Sequence, residues 1–112
     1  MRIVTWNINS VRLRLPLVLK MIETLKPDVV CLQEIKCLNE QFPAEALAEA
    51  GFPHQVVNGI KGLHGVATIA RQPFAATEIK NFCGKLDGRH VMTVIGDGTE
   101  LHNFYIPAGG DI

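Results

Sequence analysis

Residues 3–36 read IVTWNINSVRLRLPLVLKMIETLKPDVVCLQEIK, and this stretch decides the fold. Ile3 to Ile8 has the length and apolar content of a short strand, while Leu15, Val18, Ile22 and Leu25 recur at helical spacing on one face. Pro16 suits the first turn of that helix and Pro27-Asp28 ends it. Val29-Val30-Cys31-Leu32 then runs apolar without alternation, the pattern of a strand covered on both faces. The three segments make a βαβ unit. Each of its strands ends in a polar cluster, Thr5-Trp6-Asn7-Ile8-Asn9-Ser10 in the first and Leu32-Gln33-Glu34-Ile35-Lys36 in the second. An amide and a carboxylate delivered to the mouth of a sheet suit a hard cation such as Mg²⁺, which takes few protein ligands and prefers oxygen.

Outward from this unit, Pro43 and Gly51 flank a second short helix over Ala44 to Ala50, both in favoured capping positions. After Phe52 the texture becomes short β-type segments: Gln55 to Val57, Val66 to Ala70, Ala75 to Ile79, Val91 to Ile95 and Leu101 to Ile106. Asp97-Gly98 is the strongest hairpin signal among them. The order predicts an α/β protein with a mixed sheet and helices on one face. Two short helices cannot shield both sides of such a sheet, so its other face is expected to be open. No internal repeat, low-complexity tract or linker interrupts the chain.

With 112 residues, 47% apolar and 20% charged, the sequence fits one globular domain at most and excludes disordered and fibrous classes. The three cysteines, Cys31, Cys37 and Cys83, lack zinc spacing and read as reduced thiols. No basic leader with an apolar core opens the chain and no run reaches membrane-spanning length, so the expected location is the cytoplasm with no membrane association. The 11 basic and 11 acidic residues cancel, which argues against a purely electrostatic nucleic-acid binder. The first 22 residues nevertheless hold Arg2, Arg12, Arg14 and Lys20 and no acid. Taken alone, that asymmetry describes a solvated helix face.

Thr5-Trp6-Asn7-Ile8-Asn9, Leu32-Gln33-Glu34-Ile35-Lys36, Lys61-Gly62-Leu63-His64-Gly65-Val66-Ala67 and Asn103-Phe104-Tyr105-Ile106-Pro107, in this order and at compatible spacing, resemble the endonuclease/exonuclease/phosphatase superfamily. Within it the chain is most similar to the exonuclease III, or apurinic/apyrimidinic endonuclease, group. The resemblance implies a four-layer α/β sandwich of the DNase I-like type. Residues 1–112 would be the amino-terminal part of that single domain, truncated before the second sheet. It also implies metal-dependent phosphodiester hydrolysis in DNA repair, as 3′ to 5′ exonuclease and abasic-site endonuclease, in a full-length parent.

By the same resemblance Glu34 and Asn7 would hold the divalent ion, Mg²⁺ with Mn²⁺ as the alternative. Tyr105 would stand near the scissile phosphate as a catalytic donor. Asn9, Arg12, Lys36, Lys61, Gly62, His64 and Arg89 would contact duplex or abasic-site DNA, positioning rather than specifying it. Judged as single residues, Glu34 is equally a surface acid paired with Lys36, and Tyr105 a core tyrosine whose hydroxyl finds a partner. His54, His90 and His102 match no catalytic histidine of the group. Its essential histidine and its aspartate-asparagine motif would lie beyond Ile112, and Asp111 does not replace them. The fragment is therefore expected to be inactive alone, with no obligate protein partner. The alternatives are a phosphatase branch acting on a phospholipid or small phosphate ester, and a non-catalytic DNA-binding fragment.

Overall fold

A computed structural model describes residues 1–60, 64–79 and 88–106. Its first elements are the expected βαβ unit: β1 (Ile3–Asn7), α1 (Leu15–Leu25) and β2 (Val29–Gln33), with β1 and β2 parallel. α1 stops at Lys26, whose left-handed φ of 49° and N–H donation to Ile22 O close its last turn before Pro27. A 3₁₀ turn over Asn39–Gln41 leads into α2 (Ala44–Glu49), then β3 (His54–Asn58) and β4 (Val66–Ala70). The four strands order as β1-β2-β4-β3, with β4 antiparallel to both β2 and β3.

Side-chain alternation then builds two cores from one sheet. Val30 and Leu32 of β2 and Ala67 and Ile69 of β4 face the helices and pack with Val18, Ile22, Phe42, Leu47 and Phe52. Val29, Cys31 and Ala70 point the other way and pack with Ile95, Phe74 and Leu101. This explains why β2 and β4 read as unbroken apolar runs: both of their faces are buried.

The open face expected from the sequence is partly closed. β5 (Ala76–Glu78), β6 (His90–Val94) and β7 (Glu100–Phe104) do not extend the mixed sheet; they form a separate antiparallel one, ordered β5-β6-β7. β6 lies against β3 and β4, and β7 against β2 and β4. The physical reason is the alternation of Val91, Thr93 and Ile95, whose side chains are buried against the first sheet and need a layer, not an edge, to pack on. The Asp97-Gly98 hairpin forms as expected, with Gly98 at φ 91° and the Thr99 N–H donating to Asp97 Oδ1 at 2.9 Å. The Thr99 hydroxyl, and after it this backbone bond, hold the exposed Asp97 carboxyl below its usual range. β1 is not covered by the second sheet, so Ile3, Thr5 and Asn7 remain exposed on its inner side.

No helix among the described residues is long and apolar enough to cross a membrane. Cys31 and Cys37 are free and buried. Burial pushes both thiols up, opposed at Cys31 by the Thr68 hydroxyl and at Cys37 by the Arg12 charge.

Candidate functional site

Parallel β1 and β2 both end where antiparallel β4 begins, so one rim of the first sheet collects their loops. Asn7 is the last residue of β1 and registers against Gln33, the last residue of β2, which places Glu34 immediately beyond it. Backbone pairing continues past the strands: Ile8 N–H donates to Gln33 O at 3.0 Å, Ser10 N–H to Glu34 O at 2.8 Å and Val11 N–H to Ile35 O at 3.1 Å. Between the first two of these bonds the β1 side advances two residues and the β2 side one. The extra residue is Asn9, which adopts φ 49° as the bulge residue and leaves its side chain exposed. Beneath this polar rim Ile8, Val11, Ile35 and Cys37 are fully buried and anchor both loops.

Glu34 itself has φ 53° and Lys36 φ 54°. Such left-handed conformations cost non-glycine residues on the order of 1–3 kcal/mol each and persist only where the surroundings enforce them. Here the enforcement is visible: Ile35 N–H donates to Gly65 O at 3.1 Å and Lys36 N–H to His64 O at 3.0 Å, stitching the β2 loop to the residues before β4. Arg12 Nη2 adds a bond to Lys36 O at 3.3 Å. Gly65 is buried at φ 99°, and a Cβ there would stand 2.6 Å from Ile35 Cγ1. Its lack of a side chain therefore serves packing of the loop on Ile35.

The second sheet contributes from above. Gly65 N–H donates to Gly88 O at 2.9 Å, and Tyr105 N–H to Arg89 O at 2.9 Å. The half-buried Tyr105 ring lies against His64, with centroids 5.1 Å apart and planes tilted by 30°. Asn7, Asn9, Arg12, Glu34, Lys36, His64, Arg89 and Tyr105 thus share one end of the molecule. Lys61 and Gly62 lie outside the described residues.

The donor chemistry fits a hard divalent ion. Glu34 offers a carboxylate and Asn7 an amide oxygen, and the buried, protonated thiols are no competitors for it. Among the described residues no group of three or more His, Cys, Asp or Glu converges as a closed metal cage, so a bound ion would rely on water and substrate oxygens for its remaining ligands.

Sequence inspection singled out the ends of the strands and missed what holds them. Asn58 is buried and donates through Nδ2 to His90 O at 3.0 Å, joining the two sheets at the rim. Gln33 and Asn103 meet across 70 residues of sequence, with Gln33 Nε2 donating to Asn103 Oδ1 at 2.8 Å. Both stand inside the quoted motifs, and only their adjacency was hidden. A groove of about 390 Å³ opens beside them, lined by Ile3, Thr5, Cys31, Leu101 and Phe104 among others. A larger groove of about 630 Å³, beside Leu19, Lys26 and Arg71, sits at the opposite end of the strands and holds none of the candidate residues.

Comparison with known proteins places this rim in context. The exodeoxyribonuclease III of Haemophilus influenzae is 40% identical over 72 residues, covering 64% of this chain and 27% of its own length. An AP endonuclease from Archaeoglobus fulgidus superposes with TM-score 0.87 at 32% identity over 96% of this chain and 41% of its own. A Neisseria 3′ phosphatase bound to a product DNA hairpin superposes with TM-score 0.87 at 33% identity over 94% of this chain and 41% of its own. The chain spans about a quarter of the curated relative and less than half of either solved structure. The profile of the endonuclease/exonuclease/phosphatase family matches residues 4–110, nearly the entire length, and the rim architecture agrees with it: the chain belongs to that family.

Proposed function

We propose that this chain carries the amino-terminal part of a DNA phosphodiesterase of the exonuclease III kind and is inactive by itself. The observation behind this reading is the convergence of Asn7, Glu34, His64, Arg89 and Tyr105 on one rim, with Glu34 held in a left-handed conformation by the loops around it. Glu34 and Asn7 would hold Mg²⁺, or Mn²⁺, which supplies charge neutralisation at a phosphate oxygen when bound. The Tyr105 phenol would donate a hydrogen bond to developing negative charge on the phosphoryl group. His64, tilted against that ring, and Arg89, whose carbonyl accepts from the Tyr105 N–H, would keep the phenol in place and contact the same DNA backbone. Arg12 and Lys36, linked through the Lys36 carbonyl, with Asn9, Lys61 and Gly62, would grip phosphates along the duplex.

The substrates under this reading are abasic-site and 3′-terminal duplex DNA, in the cytoplasm. The neighbour described as a 3′ phosphatase, solved with a product DNA hairpin, adds a terminal phosphate monoester on DNA as a second substrate form. That favours a DNA end over a phospholipid for any phosphatase activity.

Titrating Mg²⁺ into ¹⁵N-labelled chain should shift the Glu34 and Asn7 amides in the wild type and leave them unmoved in Glu34→Gln. Metal binding that survives Glu34→Gln would sink the assignment. Abasic duplex incubated with the chain and Mg²⁺ should remain uncut. Incision that Glu34→Gln abolishes would keep the site and reject the inactivity.

A further inference from the structure

The two residues with the most direct chemical roles above, Glu34 and Tyr105, come from different sheets, and nothing in the chain's connectivity sets their separation. A continuous hydrogen-bonded line of side chains does run between the strands that carry them. Thr5 Oγ1 on β1 accepts from Gln33 Nε2 on β2 at 2.9 Å, and the same amide donates to Asn103 Oδ1 on β7 at 2.8 Å. Asn103 Nδ2 then donates into the first sheet, to Ala67 O at 2.9 Å, Thr68 Oγ1 at 3.2 Å and Leu32 O at 3.3 Å. Asn103 is 2% exposed, so its amide has left water for these partners alone.

Position along the strands gives this line its meaning. Thr5 lies two residues before Asn7, Gln33 one before Glu34, and Asn103 two before Tyr105. Leu32 and Ala67 face each other in the β2·β4 register, so one amide of β7 is keyed to a specific rung of the first sheet. Around this line the sheet interface is mostly aliphatic, built on Val29, Cys31, Ala70, Ile95 and Leu101, whose dispersion contacts are not directional; the Asn58 to His90 O bond at the rim is a further directional link, made to β6. A displacement of β7 by one residue would carry Tyr105 about 3.3 Å along the strand. The β6 ladder and the Asn58 bond to His90 O hold β7 indirectly, and the bonds of Asn103 and Gln33 are the directional contacts that β7 itself makes with the first sheet.

We infer that Thr5, Gln33 and Asn103 are positioning residues, a cross-sheet clamp that sets the Tyr105 phenol at a fixed distance from the Glu34 carboxylate. The inference rests on the metal reading of Glu34 given above, and its test separates the two. Mn²⁺ bound at Glu34 broadens nearby resonances, and Tyr105 is the one tyrosine of the chain, so its ring signals are assigned without ambiguity. In the wild type Mn²⁺ should broaden both the Glu34 amide and the Tyr105 ring. Gln33→Met and Asn103→Leu should leave Mn²⁺ affinity within about twofold and the Glu34 broadening intact, while the Tyr105 broadening falls severalfold. Equal broadening of Tyr105 in wild type and variants would overturn the clamp and leave the metal site standing.

Should Mn²⁺ fail to broaden Glu34 in the wild type, the metal reading fails, and the clamp is judged by a metal-free distance. Trp6 is the one tryptophan and sits on β1 beside Thr5, so tyrosine-to-tryptophan energy transfer reads the gap between the strand ends. Gln33→Met should change the transfer; an unchanged value rejects the clamp. Thr5→Val, which trims only the outermost link, supplies the same comparison if Asn103→Leu does not fold.

Discussion

Gly65 shows how a single missing side chain shapes the rim. Its φ of 99° and the 2.6 Å approach of a hypothetical Cβ to Ile35 Cγ1 make two separate demands, one conformational and one steric. Gly65→Ala meets both, with strain on the order of 1–3 kcal/mol and overpacking of a similar about 1–3 kcal/mol. We expect urea midpoints to fall accordingly. Ile35→Ala removes the clashing atom, so the double variant should lose less stability than the two single changes summed; strict additivity would show that strain alone is at work. The same residue marks a limit of sequence inspection. The absent side chain is used in packing Ile35, a neighbour thirty residues away that no local pattern reveals.

At the scale of elements, α2 is the test of where stability resides. Six residues are far too few for a helix to persist on propensity, since isolated helices need about 12–15 residues. Leu47 is fully buried against Phe42 and Phe52, and that contact holds the helix. Leu47→Ala should cost about 2–5 kcal/mol, a large share of a typical domain's stability, while exposed Glu45→Ala should stay within about 0.5 kcal/mol. Comparable losses from both would mean that α2 is held by its own backbone.

The elements themselves were legible because each carries a local signal. The periodicity of Leu15, Val18, Ile22 and Leu25 marked α1, the unbroken Val29 to Leu32 run marked β2, and Asp97-Gly98 marked the hairpin. Assignment of strands to sheets was not legible. Whether Val91 to Ile95 pairs with β3 or packs on it depends on contacts such as Asn103 to Ala67, which join distant segments. The candidate site divides the same way: Asn7, Glu34 and Tyr105 announce themselves in motifs, and the Thr5, Gln33 and Asn103 line that joins them does not.

For the molecule as a whole, zero net charge leaves no overall attraction for a polyanion, so under the proposed function duplex affinity would come from the few cations the rim presents. Arg12 and Lys36 lie on the loops after β1 and β2 and Arg89 at the start of β6, on the same side as Glu34 and Tyr105. Each phosphate neutralised by such a cation releases counterions and adds about −0.9 to the slope of log affinity against log salt. With Lys61 included, the proposed set corresponds to a slope of about −3 to −4, shallow beside that of a basic DNA-binding protein. Arg12→Ala should flatten it by about 1, whereas Lys20→Ala, on the exposed side of α1, should leave it unchanged although it removes the same charge. Fluorescence anisotropy of an abasic duplex at several salt concentrations measures both. If the two variants flatten the slope equally, binding follows total charge, and the rim is not the DNA-facing surface of this fold.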